Sequence, residues 1–232
     1  MAKVNKVELI NHNVYEVNLE AEVDGFIAGQ YLLIQLPTGE AVPYSIGSAP
    51  HELPQLTLYI LVADVDSLAG KVISHLQNHV QNESQATLKI PGGDCHIESA
   101  DINDTVEKVL LIAGGTGFAQ MKSMYDSLVL QKPNAQVVLY WGLRTPQDIF
   151  LQEWVDANSN INLVISDADT SWQGATGWLY EKVIADNTFR NTLVYVSGSP
   201  AMVYGTLDKL ETAGLPREAS YSDVFAYAPR PE

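Results

Sequence analysis

Residues 108–117 carry the strongest local instruction in this chain. Val109-Leu110-Leu111-Ile112-Ala113 holds no charge, and it breaks into Gly114-Gly115-Thr116-Gly117 just before a stretch with helical spacing. A short, wholly apolar run bounded by a turn signal is a strand buried on both faces, as inside a parallel sheet. The glycines then release the chain into a helix whose first N–H groups have no intrahelical partner. Together with the helix dipole, those groups favour an anion, so a phosphate can approach closely. The spacing is not the Gly-x-Gly-x-x-Gly of the common dinucleotide fold. Glycine turns after buried strands are frequent, so the unit gains meaning from what surrounds it.

It recurs. Apolar runs at 136–141, 162–166 and 193–196 read as further strands, and 118–130, 146–157, 178–185 and 200–213 as helices, with a last short strand near 222–227. Strand–helix alternation of this length builds a doubly wound parallel sheet covered on both faces. Before residue 103 the rhythm is different. Strands are expected at 14–19, 31–36 and 56–62, punctuated by Gly and Pro turns, with a single helix at 68–80. Short strands at this spacing predict a small antiparallel β-barrel. The expected organisation is therefore two-domain: an N-terminal antiparallel β-barrel over 1–102 and a C-terminal α/β unit over 103–232.

The net charge of −15, from 28 acidic and 13 basic residues, argues against nucleic acid or an anionic membrane as partner. No apolar run reaches a membrane span, and the first residues do not begin a signal peptide. Cys95 is the single cysteine, which excludes an intramolecular disulfide and a cysteine-ligated iron–sulfur cluster. The simplest reading is a soluble cytoplasmic protein.

In an open parallel sheet, ligands bind outside the carboxyl ends of the strands, where the strand order reverses. Three such ends carry small residues: Gly114 to Gly117, Trp141-Gly142-Leu143-Arg144, and Ser197-Gly198-Ser199-Pro200. Gly142 and Gly198 allow close backbone approach to a ligand. Arg144 is a candidate contact to adenosine or phosphate. The strand ending at Ser166 runs into Asp167-Ala168-Asp169, where a nucleotide 2′-phosphate would meet like charge and a free 2′-hydroxyl would find an acceptor. NADH is expected over NADPH on that ground.

A barrel with Pro43-Tyr44-Ser45, then Gly-Gly-Thr-Gly, then Gly198-Ser199-Pro200-Ala201-Met202 resembles the ferredoxin–NADP reductase family, over the whole chain and in the expected order. Ser222-Asp223-Val224-Phe225-Ala226-Tyr227, Tyr140-Trp141-Gly142 and Trp172-Gln173-Gly174 look most like its bacterial NAD(P)H:flavin oxidoreductases. The resemblance implies hydride transfer from nicotinamide to flavin, with the cofactors carrying the chemistry and the protein supplying proximity and orientation. It implies that Ser45 hydrogen-bonds near flavin N5 and that Tyr44, with Pro43, lines the ring. Tyr59, Ile60 and Leu61 would offer backbone groups to the ring edge. Thr116 and Ser197 would flank the nicotinamide, Gly114, Gly115, Gly117, Gly142, Gly198 and Met202 would line the nucleotide site, and Phe225 would stand near the ring.

The chain departs from the family at two phosphate contacts. The family's flavin motif begins with arginine, and Val42 stands in that place. In Gly70-Lys71-Val72-Ile73-Ser74, Ile73 occupies the position of a phosphate-binding hydroxyl. A charge-assisted contact is worth about 1.5–3 kcal/mol. Riboflavin, FMN or FAD is therefore expected as a loosely bound substrate, with reduced flavin passing to an oxygenase or to ferric iron. The alternatives are an electron-transfer reductase with tightly bound flavin, serving a protein or a ferric complex, and a non-catalytic nucleotide-binding protein.

Other features have plainer readings. His75 and His79 stand four apart on a predicted helix, a spacing able to reach one metal. There is no glutamate after the first histidine, so the pattern is not that of a zinc protease. The reading taken is a solvated helix face, with no metal. Cys95 and His96 are neighbours whose side chains diverge if they lie on a strand. Trp154, Trp172 and Trp178 read as packing residues.

Overall fold

In the computed structural model, which describes residues 1–103 and 105–230, the N-terminal strands form two antiparallel sheets wrapped around one core. Asp104, next to the expected domain boundary, and Pro231-Glu232 lie outside the described residues. β1 (Ala2–Leu9), β2 (Val14–Glu20), β5 (Gln55–Leu61) and β6 (Gln85–Ala86) pair in the order β5-β2-β1-β6. β3 (Tyr31–Gln35), β4 (Ala41–Ser45) and β7 (Leu88–Gly92) pair as β4-β3-β7. The chain runs almost directly from β6 into β7. At the other side, Gly47 N donates to Thr57 O at 2.7 Å and ties the end of β4 to β5. Both edges are thereby joined, and the sheets close into the expected barrel.

Val17, Leu19, Leu32, Ile34, Leu56 and Leu58 fill the interior. α1 (Leu68–Gln81) adds Val72, Ile73 and Leu76 to that core. Its first turn is capped by Ser67, whose Oγ accepts from Gly70 N at 3.2 Å. β1 escaped the sequence reading for a physical reason. Its register shifts between Val4 and Lys6, a bulge that breaks the two-residue period.

Six parallel strands follow, in the order β11-β10-β9-β8-β12-β13. They are β8 (Lys108–Gly114), β9 (Gln136–Leu143), β10 (Ile161–Ile165), β11 (Ala175–Thr176), β12 (Thr192–Ser197) and β13 (Ser220–Tyr221). Successive residues of β8 serve different cores. Val109, Leu111 and Ala113 pack under α2 (Phe118–Gln131), in a cluster that continues into the barrel through Val14, Ala28 and Tyr59. Leu110 and Ile112 pack against α4 (Leu179–Asp186) and α5 (Pro200–Thr212).

Two expectations are corrected. The helix expected at 146–157 is broken. Pro146–Asp148 makes one tight turn, closed by the Asp148 carboxylate accepting from Thr145 N and Oγ1. Leu151 then adopts left-handed backbone at φ 58° before the short α3 (Gln152–Asp156) begins. The last strand lies earlier than expected. Only Ser220 and Tyr221 pair with β12, and beyond them Ser222 Oγ accepts from Val224 N, starting a one-turn helix, α6 (Val224–Tyr227). No helix among the described residues is long and apolar enough to cross a membrane.

Candidate active site

From β8 the chain adds β9, β10 and β11 outward on one side, then returns to place β12 on the other. The strand order therefore reverses between β8 and β12, and a crevice opens at their carboxyl ends. Those ends face the barrel. Pro43, Tyr44, Ser45 and Tyr59 from the barrel, with Gly114, Thr116, Gly117, Ala119 and Ser197 to Ser199 from the sheet, line a cavity of about 250 Å³. A second cavity, of about 360 Å³, shares Gly114 and Thr116 and runs past Gly142, Arg144, Ser166, Gly177, Trp178 and Met202. The two make one cleft, with the Gly-Gly-Thr-Gly turn at its middle.

That turn is held from several sides. Trp141, fully buried and stacked on Phe118 at 4.0 Å, donates its indole N–H to Gly115 O at 2.9 Å. Gly115 has φ 54°, a left-handed backbone that glycine adopts without penalty. A Cβ on Gly117 would lie 2.5 Å from Ser197 O, so only glycine lets the two strand ends approach this closely. Met202 lies against Gly114, and Ser199 caps α5 by accepting from Met202 N. N–H groups from two helix starts thus converge on the crevice, an arrangement suited to a pyrophosphate.

On the barrel side, β4 alternates its residues. Tyr44 pairs with Leu32 and packs on the core, while Ser45 pairs with Tyr31 on the outer face. Burial pushes the Tyr44 phenol up to about 12, so it stays a neutral donor at any physiological pH. Val42, at 8% exposure, pairs with Ile34 and points into the barrel core. Ile73 is also buried. Among the described residues lining the 250 Å³ cavity there is no lysine or arginine.

Some expected site residues fall elsewhere. Thr57 O turns away from β2 to meet Gly47, so by alternation Tyr59 and Leu61 also direct their backbone groups away from β2. Ile60 faces the ladder with β2, and its side chain is buried in the barrel. It has no group left for a ligand, whereas Tyr59 and Leu61 do. Phe225, at 40% exposure, lies on α6 against Tyr204 and lines neither part of the cleft. The one-turn helix carries it round to the α5 side.

Arg144 and Asp167 do meet, with Arg144 Nε 3.8 Å from Asp167 Oδ2. Both are largely exposed, so the pair adds little stability. Trp178 is corrected from packing residue to cleft residue. It is 65% exposed, stacks on Tyr180, and stands in the cleft wall beside Gly177. Trp154 does pack, edge-on to Phe118, and Trp172 is tied by its indole N–H to Ala175 O.

Sequence reasoning missed Asn11 and Asn13, which reach the cleft from the β1–β2 hairpin. Asn11 Nδ2 donates to Asp148 O at 3.2 Å, and Asn11 Oδ1 accepts from Val14 N at 2.7 Å. An Asn-His-Asn turn was the available signal, once β1 was seen. Cys95 is buried in a loop after β7 rather than on a strand, and burial pushes its thiol up, which leaves it unreactive.

The chain thus has a two-domain architecture in which a glycine turn at the sheet's switch point opens toward a barrel. Residues 111–208 match the family described as the oxidoreductase NAD-binding domain. The chain is 29% identical over 235 residues to an NAD(P)H-flavin reductase of Aliivibrio fischeri, covering 97% of this chain and 98% of that one. It is 28% identical to an NAD(P)H-flavin reductase of Vibrio harveyi, with the same coverage. Among solved structures it is similar to a ferredoxin reductase of carbazole 1,9a-dioxygenase, with a TM-score of 0.81 at 24% identity, covering 96% of this chain and 68% of that one.

Proposed function

We propose that this protein reduces free riboflavin, FMN or FAD with a nicotinamide nucleotide and releases the reduced flavin to other acceptors. The observation that carries the reading is the cleft itself. It joins the barrel's Tyr44–Ser45 strand end to the glycine turn of the sheet, and its barrel side offers an isoalloxazine ring the Pro43, Tyr44 and Tyr59 wall but no cation for a flavin phosphate. On this reading residues 1–102 hold flavin and 103–232 hold the nucleotide. When both are bound, hydride passes from nicotinamide C4 to flavin N5.

The chain's part is placement. Tyr44 and Pro43 wall the flavin ring, and the backbone of Tyr59 and Leu61 meets its edge. Ser45 directs its hydroxyl toward the flavin atom that receives hydride, with Thr116 and Ser197 on the nicotinamide side. The second cavity takes the rest of the nucleotide, with Trp178 beside the adenosine. NADH is the preferred donor, because Asp167 would face a 2′-phosphate and already engages the only cation lining the cleft among the described residues, Arg144.

Reduced flavin would serve an oxygenase or ferric iron in the cytoplasm. The test is absorbance of extensively dialysed protein, then NADH oxidation with and without added flavin. Colourless protein that oxidises NADH only with flavin present is expected. One flavin retained per chain would favour the electron-transfer alternative instead. Riboflavin and FMN should bind within about tenfold of each other, or about 1.4 kcal/mol.

A further inference from the structure

His75 and His79 lie on α1 and line neither part of the cleft. Their Nε2 atoms are 3.3 Å apart, and the rings meet edge to face at 85°. Each ring has a second partner. His79 Nδ1 lies 2.8 Å from Ser84 Oγ, and His75 meets the backbone of Gln35 at the end of β3. Both imidazoles are therefore held in place while their Nε2 atoms converge. Helix geometry brings them there, since residues four apart stack on one face.

Two imidazole nitrogens this close need a positive centre between them, because facing lone pairs repel. That centre is either one shared N–H proton or a metal ion. The spacing discriminates among metals. A tetrahedral ion with Zn–N bonds of about 2.05 Å sets adjacent nitrogens about 3.3 Å apart. A square-planar ion with similar bonds would draw them to about 2.9 Å. The observed separation matches the tetrahedral ion.

We propose that His75 and His79 form a two-histidine chelate for Zn²⁺ on the outer surface of the barrel, with water completing the coordination. Among the described residues no group of three or more histidine, cysteine, aspartate or glutamate side chains is placed to hold a metal. The site is therefore open and exchangeable rather than a closed structural centre. The hydroxyl of Ser84 acts through His79: it orients the ring and fixes which nitrogen ligates. Because the pair is preformed only in the folded helix, bound zinc stabilises the native state.

The test is titration of metal-free protein with Zn²⁺ against a chromophoric chelator, with thermal unfolding measured in parallel. One Zn²⁺ per chain and a raised Tm are expected. His75→Ala and His79→Ala should each abolish the Tm shift and lower affinity by more than about tenfold, and Ser84→Ala should lower it by about tenfold. His51→Ala, at an exposed histidine elsewhere, should change neither reading. Failure of wild-type protein to bind zinc would overturn the proposal and leave the contact a hydrogen bond. Unchanged zinc affinity in the His75→Ala/His79→Ala double variant would overturn it equally.

Discussion

Ser45 and Tyr44 are neighbours on β4 with different surroundings. Tyr44 is anchored on the barrel core, whereas Ser45 makes no recorded side-chain hydrogen bond among the described residues and lines the cavity beside Thr116 and Ser197. A hydroxyl without a protein partner is free to serve a ligand. If it strengthens its hydrogen bond as the flavin accepts hydride, its loss acts on turnover more than on binding. Ser45→Ala should lower kcat by about tenfold to a hundredfold, the equivalent of about 1.4–2.7 kcal/mol, while flavin Kd changes less. Stopped-flow reduction alongside a flavin titration checks this, and equal kcat in the variant would remove Ser45 from the reaction. The Arg144–Asp167 pair sets the second test. Asp167→Ser releases Arg144 and removes the like charge, so kcat/KM for NADPH should rise relative to NADH by about tenfold. Initial rates with the two nucleotides at one flavin concentration and low salt give the ratio. A wild-type preference for NADPH would already reverse the assignment.

The turn between β8 and α2 works because β12 ends against it. Gly117 is the point of contact: a methyl group there would press on the Ser197 carbonyl, which belongs to the neighbouring strand and cannot swing aside. Gly117→Ala should therefore cost about 1–3 kcal/mol of stability and spread the crevice. NADH KM should rise while riboflavin affinity is largely kept, because the barrel wall is untouched. Urea unfolding and separate titrations of the two ligands distinguish the effects, and parallel weakening of both would show that the turn also supports flavin. The stretch 146–157 shows the opposite case, an element whose local signal misleads. Pro146 and a helical apolar spacing suggest one helix, but Asp148 closes its own turn on Thr145 and presents its backbone and carboxylate to the barrel hairpin through Asn11 and His12. Contact between domains outweighs helix continuity there.

The two domains are joined through α2. Ser123 Oγ donates to Ser48 O at 2.7 Å, and the amide of Gln120 lies within hydrogen-bond reach of Gly29 O and Cys95 O in the barrel and of Asp223 Oδ2 near the chain end. Gln120 is almost wholly buried, so these contacts fix the cleft's width rather than merely decorate it. Asp223 beside it is part-buried. Burial raises its carboxyl above the ordinary value of 3.8, against the opposing pull of Gln120 and of the Cys95 backbone. A raised folded-state value favours the protonated, folded form. That contribution is complete below the unfolded value and is lost as pH rises through the higher folded value. Asp223→Asn keeps an oxygen for Gln120 and removes the charge. Relative to wild type, the variant should therefore be more stable at about pH 7 than at about pH 4, read by urea unfolding at each. A stability difference that stays constant between the two would place the Asp223 charge outside this balance.

Much of this architecture is legible in residue order because its causes are local. A short, fully apolar run such as 109–113, bounded by a glycine turn and followed by helical spacing, reads as a strand covered on both faces that leads into a helix start. The helices expected at 68–80, 118–130 and 200–213 stand at Leu68–Gln81, Phe118–Gln131 and Pro200–Thr212. The elements that escaped depend on partners far along the chain. β1 exists by pairing with β2 across a bulge. Ile60 loses its role because the ladder with β2 claims its backbone, and Phe225 because one turn of helix rotates it toward Tyr204. Trp178 looked like packing because nothing local separates a buried indole from one standing in a cleft wall. Side-chain direction, edge pairing and which strand ends share a crevice depend on contacts between distant residues, and only the folded chain brings those residues together.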